Sequence, residues 1–291
     1  MADLNGGRLV PFRKDGTQLY VKEWQPSGTP VAHVYMFHGM GEHICRYDHV
    51  FTTFASAGIH TTGLDYMGHG RTQVANNSLK GHVQFETVFE QMDQFVFNAA
   101  CDEIPVVLMG HSLGGLLVLA YARSRGPRIK NLRGVISQAP ALKIFVAPPV
   151  ALLARMVGGN VMSRFQTRNG LDVDGLSTDK AVIAAYQNDP LCHDLITLMT
   201  VRNFVTCGPE LLADAKNFKY PIIMYHSPND KLTDIRGSEE FMANCGSPDK
   251  TFEKFPGNWA HELHNDPGKE QIIQDYTNWI TKRASASESK L

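Results

Sequence analysis

The chain predicts an α/β fold: a mostly parallel central sheet with helices on both faces and one helical cap inserted into it. Two observations carry that expectation. Short apolar runs of strand length alternate with longer segments of helical spacing, and the alternation breaks once, between residues 141 and 219, before it resumes. Strand–helix–strand alternation implies right-handed crossovers and parallel pairing, with the sheet covered on both faces. The 291 residues, 43% apolar and 20% charged, suffice for a buried core without disulfides or structural metal.

Two β-rich runs, Arg8–Phe12 and Gln18–Trp24, flank the turn signal Lys14-Asp15-Gly16 and predict an antiparallel hairpin. Val31–Phe37 and Ile59–Leu64 read as buried strands, with a helix over Tyr47–Ala57 between them. Phe85–Ala100 carries Phe85, Val88, Phe89, Met92, Phe95 and Val96 on one helical stripe. Pro105–Met109 is a compact strand, Leu113–Arg125 a long helix and Gly134–Ser137 another strand. The break that follows holds an apolar helix around Val150–Val157, a Gly/Asn/Arg-rich stretch and two further helical patterns. Strands at Pro221–Tyr225 and Thr251–Phe255 and a helix at Lys269–Arg283 complete the pattern. The expected division is a core of residues 1–140 and 220–283, a cap or lid of 141–219 and a flexible tail of 284–291.

A net charge of −1 offers nothing to the nucleic-acid backbone, and no basic cluster with interleaved aromatics occurs, so no nucleic-acid partner is expected. The five cysteines, Cys45, Cys101, Cys192, Cys207 and Cys245, are scattered and form no CxxC pair; they read as free thiols. Twelve histidines raise the question of a metal, but His261-Glu262-Leu263-His264 is not HExxH, and neither a metal nor a cofactor is expected. The N-terminal segment lacks the apolar run of a signal peptide. The most apolar window, Ile144–Val157, is interrupted by Pro148, Pro149 and Arg155 and falls short of the roughly 20 residues that span a bilayer. The last three residues, Ser289-Lys290-Leu291, read as a peroxisomal address, with chance occurrence as the competing reading; otherwise a cytoplasmic or membrane-peripheral location is expected.

Gly110-His111-Ser112-Leu113-Gly114 fits G-x-S-x-G, with a strand immediately before it and a helix immediately after. That context is what a nucleophile elbow requires, and the flanking glycines suit a sharp, crowded turn. The competing reading of Ser112 is a helix N-cap. A serine hydroxyl needs a base to take its proton, and in this arrangement the acid and then the base follow the serine along the chain. Asp230 lies in the turn after Pro221–Tyr225, with Asp234 as its rival. His261 lies in the loop after Thr251–Phe255, with His264 as its rival. The glycine-containing loop His38-Gly39-Met40-Gly41-Glu42 follows the third strand, where one oxyanion donor belongs. The expected donors are the backbone N–H groups of Met40 and Leu113.

With these residues in place, the sequence resembles the monoacylglycerol lipase family of α/β-hydrolases over nearly its whole length. The resemblance rests on His38–Tyr47, Leu64–Thr72, Gly110–Gly115, Leu176–Leu191, Pro228–Asp234 and Gly257–His264, the cap segment with Tyr186 and Asn188-Asp189-Pro190-Leu191 being the most discriminating. It implies the α/β-hydrolase fold, a triad of Ser112, Asp230 and His261, and hydrolysis of monoacylglycerol or a similar lipid ester. Lysophospholipids, acyl-CoA thioesters and simple carboxylic esters are the alternative substrates for the same triad. The resemblance further implies a polar pocket for the glycerol head group at Glu42, Arg46 and His264, although Glu42 and Arg46 also read as a local (i, i+4) ion pair. It implies peripheral membrane contact through the apolar cap helix. Residues 158–175 match the family poorly, one extra residue stands between Gly257 and His261, and Thr233 stands where animal members carry a cysteine. A fluorescent protein extended by residues 284–291 is expected to concentrate in peroxisomes; a diffuse cytosolic signal would remove the address.

Overall fold

The computed structural model describes residues 4–97, 104–156 and 161–285. The tripeptide Ser289-Lys290-Leu291, the end of the expected 85–100 helix and Val157 lie outside them. Eight strands form one sheet in the order β1-β2-β4-β3-β5-β6-β9-β10. The hairpin β1 (Arg8–Pro11) and β2 (Gln18–Trp24) is antiparallel and sits at one edge. Strands β3 (Ala32–Phe37), β4 (Ile59–Asp65), β5 (Val106–His111), β6 (Leu132–Gln138), β9 (Ile222–His226) and β10 (Lys250–Lys254) pair in parallel.

The central strands are buried on both faces, so they read as continuous apolar runs. Alternation along each one still assigns its residues to two layers. Tyr35, Phe37 and Leu108 point into one cluster, with α3 (Phe85–Val96), α4 (Leu113–Arg125) and residues of α7 (Leu198–Asp214) and α8 (Ile235–Asn244). Val34, Met36, Val107 and Met109 point into the other, with α1 (Asp48–Ser56) and α9 (Lys269–Ala284). Gly134 in β6 has a packing reason: a Cβ there would collide with the indole of Trp279 on α9. Two helices were not legible in the sequence, α2 (Gly70–Asn76) and α8: α2 buries only Gly70 and Thr72, and α8 buries Gly237 and Ser238 beside only two large apolar side chains, Phe241 and Met242.

Between β6 and β9 the chain adds no strand to this sheet. It forms α5 (Pro148–Met156), α6 (Lys180–Asn188) and α7, with a small antiparallel pair, β7 (Gln166–Arg168) and β8 (Leu195–Thr197). That pair, three residues to a strand, carries no sequence periodicity. No helix among the described residues is long and apolar enough to cross a membrane.

The parallel core decides where chemistry can collect. The loops after β3, β5, β9 and β10 leave the C-terminal ends of parallel strands, and such ends share one edge of a sheet. Those four loops carry Met40, Ser112, Asp230 and His261.

Candidate active site

Strand β5 runs directly into Ser112, which adopts φ 56° and ψ −116° and then opens α4. A left-handed φ is uncommon for serine and persists only where the surroundings enforce it. The surroundings here are the two motif glycines. A Cβ on Gly110 would strike the carbonyl of Gly114, and a Cβ on Gly114 would strike that of Phe37. The backbone of Ser112 is pinned as well, its N–H donating to Gln138 O at 3.0 Å and its carbonyl accepting from Ala141 N at 3.1 Å. Although Ser112 occupies the N-cap position, its side chain makes no capping hydrogen bond, so the hydroxyl is not spent on the helix. It faces a cavity of about 400 Å³ whose wall includes Met40, Ile144, Phe145, Val150, Phe204 and Leu232.

Asp230 is held by five donors. Oδ1 accepts from the N–H groups of Leu232 (2.7 Å) and Thr233 (3.0 Å). Oδ2 accepts from His261 Nδ1 (2.6 Å), Thr233 Oγ1 (2.9 Å) and His226 Nε2 (3.1 Å). Burial alone would raise the Asp230 pKa. The His261 charge and the hydrogen bonds from His226 and His261 outweigh it and hold the carboxyl far below its ordinary range. The same contact acts in reverse on His261. Burial disfavours its charged form, but the charge and hydrogen bond of Asp230 prevail and raise its pKa above the ordinary 6.5.

The rival residues have other work. Asp234 caps α8, accepting from Arg236 N at 3.0 Å, and pairs with the Arg236 guanidinium. His264 donates from Nδ1 to Gln138 Oε1 at 2.9 Å and stacks on Tyr47 with ring centroids 4.6 Å apart. Burial lowers its pKa to about 3 against the pull of Glu262, so it stays neutral. Among the described residues no hydrogen bond joins Ser112 Oγ to His261; such contacts commonly tighten only when substrate arrives.

The loop after β3 is braced from behind. Glu42 Oε1 accepts from Gly39 N (2.6 Å) and Tyr47 OH (2.7 Å), while its Oε2 accepts from Arg46 Nη1 (2.6 Å). Arg46 also makes a two-pronged pair with Glu262 at 2.6 and 2.8 Å. Burial opposes the Glu262 charge, yet the Arg46 guanidinium lowers its pKa to about 2. Glu42 and Arg46 are therefore committed to each other and to Glu262, and neither they nor His264 line the cavity at Ser112. For the N–H groups of Met40 and Leu113, no acceptor within the chain is found among the described residues. Leu113 begins α4, where the first N–H groups lack intrahelical partners.

Sequence reasoning missed Gln138, His226, Thr233 and Glu262 as parts of this site. Gln138, at the end of β6, ties it together: its backbone carbonyl takes Ser112 N, its Nε2 donates to His261 O at 3.1 Å, and its Oε1 accepts from Tyr276 OH at 2.7 Å. The available signal was a polar side chain ending a strand otherwise built to be buried.

The fold and the arrangement of these residues are those of an α/β-hydrolase. Residues 28–268 match the family described as serine aminopeptidase, S33. The chain is 30% identical over 271 residues to a monoacylglycerol lipase of Mycolicibacterium smegmatis, covering 91% of this chain and 93% of that one. An abhydrolase domain-containing protein of Dictyostelium discoideum is also 30% identical over 95% of this chain, which spans only 29% of that relative's length. The crystal structure of Paleococcus ferrophilus monoacylglycerol lipase superposes with a TM-score of 0.81 at 28% identity, covering 91% of this chain and 99% of that one. The chain belongs to the monoacylglycerol lipase family within the S33 group of hydrolases.

Replacing Gln138 with Ala leaves Tyr276 OH, the Nδ1 of His264 and the carbonyl of His261 unpaired. It is expected to lower kcat by roughly 10²-fold with KM nearly unchanged and to cost about 1–3 kcal/mol of stability. Steady-state kinetics on the folded variant checks this, and an unaltered kcat would deny Gln138 its positioning role.

Proposed function

We propose that this chain hydrolyses monoacylglycerol to fatty acid and glycerol through an acyl-Ser112 intermediate. The observations that carry the reading are the 2.6 Å contact between His261 and Asp230 and a strained serine, with no capping bond, on the wall of a mainly apolar cavity. Ser112 Oγ attacks the ester carbonyl while His261 Nε2 takes its proton. The oxyanion is received by the N–H groups of Met40 and Leu113, and the α4 dipole adds its positive end. His261 then passes the proton to the departing glycerol oxygen, freeing the alcohol and leaving the acyl group on Ser112. A water, deprotonated by His261, attacks that acyl-serine and releases the fatty acid. Asp230 stays ionised throughout and fixes the imidazole with Nδ1 toward itself.

The three residues expected at the head group divide into two roles. Glu42 and Arg46 support the loop of Met40 from behind. His264 braces Gln138 through Nδ1–H, and its buried Nε2 makes no hydrogen bond within the described residues. The segment 141–219 acts as the cap over the cavity. Beside the cavity it exposes Phe145 at 66%, Leu152 at 62%, Met156 at 76% and Phe165 at 64%, an apolar rim suited to resting on a lipid surface.

Ser112→Ala is expected to cut turnover of long-chain monoacylglycerol by about 10⁶-fold without changing the circular dichroism spectrum. The wild type should prefer monoacylglycerol in a panel with diacylglycerol, triacylglycerol, lysophospholipid and acyl-CoA; a preference for either of the last two would replace the substrate but keep the triad. His261 must be neutral to act as base, and its pKa is raised, so activity should fall as pH drops through a midpoint above 6.5. A pH–rate profile with its acid limb at or below that value would contradict the pairing. Leu152→Asp with Met156→Asp should weaken co-sedimentation with liposomes, and unchanged binding would remove the membrane role.

A further inference from the structure

Next to the loop that carries Met40, three side chains with zinc-binding donors meet. His43 follows Glu42 directly, Asp189 ends α6, and Cys192 lies three residues further along. His43 Nε2 and Asp189 Oδ2 are 2.8 Å apart, and one donor atom from each of the three residues lies within 4.8 Å of the others. The His43 side chain is almost fully buried and its Nδ1 meets no acceptor in good hydrogen-bond geometry; burial disfavours its charge, but interactions with Cys192, Cys45 and Asp189 prevail and push its pKa up to about 11. A surface cavity of about 520 Å³, lined by His43, Cys45, Asp189 and Leu191 among others, opens over two of the three residues and gives His43 and Asp189 a path from solvent, with Cys192 set behind its wall.

We propose that His43, Asp189 and Cys192 bind a zinc-type divalent cation, with water in the fourth position. A thiolate, an imidazole and a carboxylate form a donor set that selects zinc or its borderline neighbours and disfavours magnesium or calcium. Bonds of about 2.0–2.3 Å in a tetrahedron require donor separations somewhat above the present His43–Asp189 distance and below the outer limit of the cluster. Binding therefore requires the His43–Asp189 contact to open slightly and the Cys192 side chain to move inward. On binding, the Cys192 thiol and the protonated His43 imidazole each give a proton to solvent, and the freed sulfur and nitrogen lone pairs form the bonds to the metal as Asp189 exchanges its contact with His43 for the cation. Two cationic side chains share the cavity wall. Arg46 is neutralised by Glu42 and Glu262, and Arg71 donates to Cys45 Sγ at 3.6 Å and lies beside the buried carboxylate of Asp65.

The consequence is mechanical. His43 belongs to the loop after β3, whereas Asp189 and Cys192 belong to the inserted segment. The adjoining contacts already seat that segment on Gly41, whose carbonyl accepts from His193 N at 2.9 Å and from Tyr186 OH at 3.1 Å. A bound cation would clamp the insertion to the loop holding Met40. This site is independent of the proposed lipase reaction and either can fail without the other.

The test uses the full-length, chelator-treated protein. Titration with zinc against a fluorescent indicator is expected to show one equivalent bound, and cobalt(II) should give a thiolate-to-metal charge-transfer band. Cys192→Ser and, separately, Asp189→Asn should weaken zinc binding by roughly 10–100-fold, with the cobalt band lost in the first. Cys207→Ser, in the core, should change neither. One equivalent of zinc should also raise Tm in the wild type but not in Cys192→Ser. Absence of the cobalt band in the wild type, its persistence in Cys192→Ser, or a Tm indifferent to zinc would overturn the proposal.

Discussion

The arrangement depends on one buried charge kept ionised. A carboxylate inside a protein costs several kcal/mol unless its lone pairs are fully engaged. Asp230 meets that demand with two backbone N–H groups, a threonine hydroxyl and two imidazoles. Every donor but one comes from a strand end or turn whose position the sheet fixes: His226 closes β9, and Leu232 and Thr233 lie in the turn that follows. Only His261 arrives from a different loop, and the carbonyl contact to Gln138 holds it there. The hydrogen bond between His261 and Asp230 is thus a product of the parallel core.

A second brace, Glu42–Arg46–Glu262, does for the loop of Met40 what the Asp230 shell does for His261. It crosses from the loop after β3 to the residue next to His261, so the two halves of the site lean on a common guanidinium. Truncating one member of such a buried set strands the charges of the others, which makes the network a source of rigidity more than of net stability. The inserted segment attaches at the same place. The Arg46 guanidinium lies over the Tyr186 ring at 5.0 Å, and Gly41 receives two hydrogen bonds from the insertion. The insertion is therefore joined to the loop of Met40 through a handful of named contacts.

Polar and apolar demands are separated in space. The charged and histidine-rich groups lie packed behind the loops, while the cavity wall at Ser112 is built mainly from the apolar side chains of the insertion and of α7. An acyl chain can be desolvated on that wall without passing the buried charges, which favours ester chemistry on lipids. The same division leaves Phe145, Leu152, Met156 and Phe165 exposed, at a location where the protein has no core of its own to cover them.

The amino-acid sequence by itself determined the alternation of strands and helices, the sharp turn at Ser112 and the position of the insertion, because these follow from local periodicity and from glycines that no other residue could replace. It also narrowed the acid and the base to two neighbours each. Tertiary structure adds a difference the chain order does not hold: Asp230 reaches His261 while Asp234 turns to Arg236, although both aspartates look alike from the chain. Glu42 and Arg46 illustrate the limit most plainly. Their spacing fits a head-group pocket and an (i, i+4) pair equally, and it took Glu262, more than two hundred residues away, to commit them to the second. Gln138 was invisible for the same reason, for its importance lies wholly in which distant backbones it touches, and distance in space is not written in the order of residues.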